Sequence, residues 1–255
     1  MQLKNNIIFV GDSFCACFTT VGNGSDNNRV RNGQTTNQGI DSILHPTVVA
    51  RHWGYNLYNF GYGGKSWWYS RYKLYDFLTD GYSNSVQLDN VAAMVFFHTD
   101  PGRLNTCVDN KSSEFNYAHK LWQTELVDSH FQTWAQNSWF LEIGQLFKNV
   151  PTLHFNCFPY SVENSHVLPG MIFDTPLVHL SLGELTGSDE ELQRQISINE
   201  TRWNHLNNQN NKALADVIIN ALDNYRPGIY NIDTSNFYQP NRNAHLFPNP
   251  GYGTK

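Results

Sequence analysis

Charge is scarce in this chain of 255 residues: Asp, Glu, Lys and Arg make up 15% of it, with a formal balance of −5. That balance leaves no basic footprint for tracking phosphates, so nucleic acid is not an expected partner. Long apolar runs are also missing. No stretch approaches the roughly 18 consecutive apolar residues of a membrane span, and Met1 to Asn6 lacks the apolar region of a signal peptide. The expectation is a chain that neither crosses nor binds a membrane. Cysteine is sparse and scattered, at positions 15, 17, 107 and 157, which suits buried free thiols better than a disulfide framework. Cys15-Ala16-Cys17 has no second pair to complete a zinc signature, and the ten histidines include no His-x-x-x-His spacing. Neither a metal nor any other cofactor is expected.

Aromatic residues are plentiful, at 14%, and asparagines are abundant. Together they suit polar-aromatic surfaces of the kind used on carbohydrates, although AT-rich coding gives the same enrichment. Apolar runs at Ile7–Val10, Tyr55–Phe60, Val91–Phe97 and Thr152–Cys157 alternate with helical candidates, and Met171–Phe173 offers a fifth short strand. Such βαβ alternation predicts an α/β fold, a parallel sheet of about five strands covered by helices on both faces. The helices are expected at Pro46–Trp53, with proline in the first turn, at Ser66–Leu78, within Phe115–Phe147, and at Leu206–Leu222. Trp67, Trp68, Tyr72, Tyr75 and Phe77 sit at a spacing that fits a core stripe as well as a sugar platform. Gly22–Gly39 reads as a polar loop. Residues 1–222 are expected to form one domain, and 223–255 an irregular arm that packs on the body or on a neighbouring subunit.

The run Ile7-Ile8-Phe9-Val10-Gly11-Asp12-Ser13 places a serine just past the end of an apolar strand. Ligands of open α/β sheets meet the carboxyl ends of strands, so Ser13 stands where a nucleophile would, while helix capping is the plainer role for Asp12 and Ser13. A serine attacks an acyl carbon well only with a base to take its proton and donors for the oxyanion. After the second strand, Asn59-Phe60-Gly61-Tyr62-Gly63-Gly64 supplies glycines whose bare N–H groups a tight turn can present. Phe97-His98-Thr99-Asp100-Pro101 follows the third strand, and Asn204-His205-Leu206 precedes the last helix, with Asn207 or Asn208 as its N-cap.

These residues resemble the SGNH (GDSL-type) hydrolase family over positions 7 to about 222. The resemblance implies a flavodoxin-like three-layer α/β/α sandwich and a serine esterase that works through an acyl-enzyme. Gly11-Asp12-Ser13 matches the first block and implies Ser13 as nucleophile, its own N–H in the oxyanion hole. Asn59-x-Gly61-x-x-Gly64 matches the second and implies the Gly64 N–H as another oxyanion donor. His205 matches the last block and implies the general base.

Two positions depart from the pattern. The third block normally reads Gly-x-Asn-Asp, whereas here it is His98-Thr99-Asp100-Pro101, so Asp100 stands where an amide donor is expected. His98 is left to touch substrate, orient Asp100 or fill space behind the cleft. Arg202 occupies the place of the acid that orients the histidine, so that role falls to a backbone carbonyl, Glu200, Asp174 or Asp100. The expected substrate is a small acyl ester, an acetyl group on a carbohydrate or glycoconjugate, and the expected location is cytoplasmic or virion-associated. The alternative is a binding or structural module on the same fold, such as a phage-particle component recognising surface glycan and assembling through its arm. A nucleotide-binding flavodoxin-like domain is a third reading, and the absence of Gly-x-Gly-x-x-Gly or Gly-Lys-Ser/Thr runs counts against it.

Overall fold

The apolar run near the N-terminus is continuous because both faces of its strand are covered. In β1 (Asn6–Gly11), Ile7 and Phe9 enter one core while Ile8 and Val10 enter another, and all four are at most 1% exposed. Successive side chains of a strand point to opposite faces, so two cores require two helical layers. The computed structural model describes residues 4–12, 14–15, 44–61, 66–79, 90–99, 117, 120–121, 129–158, 168–180, 206 and 208–237.

Within these residues the sheet adds β2 (Asn56–Gly61), β3 (Val91–His98), β4 (Thr152–Asn156), β5 (Met171–Phe173) and β6 (Gly228–Tyr230). All pairings are parallel and the spatial order is β2-β1-β3-β4-β5-β6. Its first five strands follow the doubly wound, flavodoxin-like order, with the topological switch between β1 and β3. The sixth strand comes from the segment expected as an irregular arm. There Gly228–Tyr230 pairs with β5, and Ile232 and Phe237 are buried beyond it; residues 238–255 lie outside the described set.

One layer holds α1 (His45–Trp53) and α4 (Asn208–Asp223), which pack on each other and on the odd-numbered side of β1. Its sheet face carries a row of rings across four strands: Phe9 to Phe97 at 6.3 Å, Phe97 to Phe155 at 5.2 Å, and Phe155 to Phe173 at 4.6 Å between centroids. Each such pair adds about 0.5–1.5 kcal/mol to plain area burial. The last helix expected from the sequence packs through Ala213, Leu214 and Ile218, which are buried.

The other layer holds α2 (Trp67–Thr79) and α3 (Ser129–Leu146). Trp67, Leu74 and Phe77 are core residues here, whereas Tyr72 is 58% exposed, so the aromatic segment splits between packing and surface. Of the long helical region expected over 115–147, α3 is one part, and positions 117 and 120–121 are also helical. Among the described residues, no helix is long and apolar enough to cross a membrane.

Candidate functional site

The carboxyl ends of β1 and β2 stand side by side, with Gly11 opposite Gly61. On its other flank Gly11 is opposite Phe97, so closely that a Cβ built there would lie 2.5 Å from the Phe97 carbonyl oxygen. Glycine at the strand exit is therefore demanded by the approach of β3, more than by the turn alone. Immediately beyond, Asp12 is 1% exposed, and its Oδ1 accepts from the Phe14 N–H at 2.9 Å. That bond closes an Asx turn just past β1.

Asn59 joins the two strand exits. Its Nδ2 donates to the Cys15 carbonyl at 2.7 Å, and its Oδ1 accepts from the Gly61 N–H at 2.8 Å. One amide thus ties Cys15, just past β1, to Gly61 at the end of β2. The donor and acceptor of a buried amide both find partners here, as burial of the group demands.

A chain of hydrogen bonds extends along the same edge toward the last helix. The Cys157 Sγ–H donates to Asp12 Oδ1 at 3.5 Å, the Cys157 carbonyl accepts from Val178 N–H at 3.0 Å, and the Leu180 carbonyl accepts from Asn210 Nδ2 at 2.7 Å. Cys157 follows β4, and Val178 and Leu180 belong to a 3-10 turn, Leu177–Leu180, beyond β5. The start of α4 therefore lies at the carboxyl edge of the sheet. Leu206, two residues before that helix, is 3% exposed, and its carbonyl accepts from Asn211 Nδ2 at 2.9 Å.

Ser13, Gly64, Asp100, Glu200 and His205 lie outside the described residues, as do Arg202 and Asn207. Their described neighbours are Asp12 and Phe14, Gly61 and Ser66, Thr99, and Leu206. Of the candidate residues, His98 and Asp174 are described. Asp174 is exposed beyond β5 and accepts from Asn156 Nδ2 at 3.2 Å. With parallel strands about 4.8 Å apart, β5 stands three spacings, about 14 Å, from β1.

His98 is 3% exposed at the end of β3, its ring against Phe140 at 4.3 Å and stacked on Phe96 at 6.0 Å. Its Nε2 is 2.9 Å from His154 Nδ1, and His154 Nε2 is 3.0 Å from the Pro169 carbonyl. A carbonyl only accepts, so His154 carries its proton on Nε2 and takes the His98 Nε2–H bond on Nδ1. Burial depresses both imidazoles, His154 to about 4, against the smaller opposing effect of its bond to Pro169. His98 is lowered well below its ordinary value by burial and then by repulsion from His154. These surroundings describe a ring that fills the layer behind the edge. A cavity of about 10 Å³ opens beside it, lined by Gly11, Ser70, Thr99 and Trp139 among others, about enough for one water centre.

His45, the first residue of α1, is a buried residue that no motif marked. It lies between Phe9 and Phe97, bonds Asn211 through Nδ1 at 2.9 Å, and is depressed to about 4 by burial, which outweighs that bond. His154 was masked by its apolar strand, where a lone histidine in an alternating run was the available signal. Cys15 and Cys157 are buried, and both thiols donate to Asp12, to its carbonyl and its Oδ1 respectively. Among the described residues, no group of three or more His, Cys, Asp or Glu side chains is placed to hold a metal ion.

Sheet order, two helical layers and a polar carboxyl edge define a doubly wound α/β protein. No family model, curated protein or solved structure matches the chain.

Proposed function

We propose that this chain is a serine esterase that removes a small acyl group, acetyl on a carbohydrate or glycoconjugate, with Ser13 as nucleophile and His205 as base. The observation that supports it best is the Asn59 bridge: one buried amide binds Cys15, two residues past Ser13 in the chain, to Gly61 at the end of β2, three residues before Gly64. An acyl-transfer site needs the nucleophile and a backbone oxyanion donor held together before the substrate arrives.

In this reading His205 takes the Ser13 Oγ proton as the oxygen attacks the ester carbon. The N–H groups of Ser13 and Gly64 meet the oxyanion. The proton passes to the departing alcohol, and a water activated by the same histidine then releases the acid and restores Ser13. A neutral Asp100 would donate to the oxyanion where an ionised one would repel it. A catalytically weakened glycan-binding module is the second reading, favoured by Asp100 and Arg202 at positions where the resembling family has an amide and an acid.

Hydrolysis of p-nitrophenyl acetate and of acetylated glycans, measured beside Ser13→Ala, tests the proposal. The wild type is expected to turn over and to be labelled at Ser13 by a fluorophosphonate. The variant is expected to lose at least a thousandfold in kcat. Equal release by the two proteins would overturn the esterase reading, and glycan binding by an unlabelled wild type would establish the second.

A further inference from the structure

We infer that Asn211 is a positioning residue for His205, holding through its amide the backbone from which that histidine departs; the catalytic part of this inference rests on the esterase reading.

Asn211 lies in the first turn of α4 and is 5% exposed. Its Nδ2 donates to the carbonyl of Leu206, the residue next to His205, at 2.9 Å. With the nitrogen so committed, the Oδ1 must face His45, whose Nδ1 stands 2.9 Å away and is therefore the protonated ring nitrogen. The amide has one orientation, set at each end by a partner of opposite character. His45 is in turn 1% exposed and wedged between Phe9 of β1 and Phe97 of β3. The bridge thus runs from the two strands at the topological switch, through His45 and Asn211, to the residue after His205.

Leu206 is fixed twice over, by this bond and by burial of its side chain in the core shared with α1 and α4. The adjoining residue of the helix makes a parallel attachment, Asn210 Nδ2 to the Leu180 carbonyl at 2.7 Å. Two neighbouring asparagines at a helix start, both buried and both donating to carbonyls outside the helix, lower intrinsic helix propensity without adding apolar area. What they add is a fixed location for the chain at Leu206. A base displaced by about 1 Å can cost a hundredfold in rate, so fixing that chain is of use to a histidine that must reach a serine.

The test uses the full chain carrying histidine labelled with 13C at Cε1, the His205 signal being identified by its loss in His205→Gln. Asn211→Asp keeps the acceptor for His45 but cannot donate to Leu206. His45→Phe preserves ring packing and removes the partner of the Asn211 Oδ1. Each is expected to shift the His205 titration midpoint by half a pH unit or more. Fluorophosphonate labelling of Ser13 is expected to slow at least tenfold in both. Folded variants with an unchanged His205 titration would overturn the inference. If His205 moves in the variants while the wild type is not labelled at Ser13, the positioning role stands and the esterase reading falls.

Discussion

Lowering the pH from 7.5 to 5 is expected to remove about 4 kcal/mol of stability through His45 and His154 alone. Both are neutral in the fold, with pKa values depressed to about 4 by burial, and both return to 6.5 in the unfolded chain. Below 6.5 the unfolded chain takes up protons that the folded one refuses, so stability falls with pH down to about 4 and levels off beneath it. Each histidine costs about 1.4 kcal/mol per pH unit across that window, or about 2 kcal/mol by pH 5. His98 is shifted in the same direction and adds to the loss. Against a typical domain stability of about 5–15 kcal/mol this is a large fraction. Urea unfolding at pH 7.5, 6.5, 5.5 and 5.0, followed by the emission of the buried Trp67 and Trp139, measures it. His45→Phe removes one titrating group while keeping a ring between Phe9 and Phe97, so its stability should fall with pH less steeply, by about 1.4 kcal/mol per unit, than the wild type. A flat wild-type profile between pH 6.5 and 5, or identical slopes for the two proteins, would refute the assignment of these imidazoles as buried and neutral.

Two further substitutions probe the edge itself. Gly11→Ala places a methyl 2.5 Å from the Phe97 carbonyl oxygen and forces β1 and β3 apart, for an expected loss of about 1–3 kcal/mol, read as a lower urea midpoint. An unchanged midpoint would mean that the strands do not approach as closely as described. Asn59→Ala strips partners from the Cys15 carbonyl and the Gly61 N–H; the expected loss is about 2–4 kcal/mol, together with slower acylation of Ser13 at temperatures where the variant remains folded.

Much of the fold was legible because its strands are buried on both faces. Ile7 to Val10 cannot be a surface element, and the spacing of similar runs leaves room only for crossovers between parallel strands. β6 was not legible: Gly228-Ile229-Tyr230 is three residues long, follows Pro227, and leaves Ile229 54% exposed at the sheet edge. So brief an edge strand has little pattern of its own and is recruited by β5. The roles of individual asparagines were not legible either. Asn59, Asn210 and Asn211 are at most 5% exposed, so part of that composition builds internal bridges, which no count of residue types distinguishes from a polar surface.

The sequence by itself determined the alternation of apolar strands and amphipathic helices and the glycine that ends β1. These are local properties, fixed by residue type and spacing. Only the tertiary structure decided which strands adjoin, why Gly11 has no room for a side chain, and which carbonyl each buried amide meets. Those partners lie far apart in the chain, 44 residues for Asn59 and Cys15 and 166 for His45 and Asn211, and a hydrogen bond is specified by where the folded backbone brings its two ends.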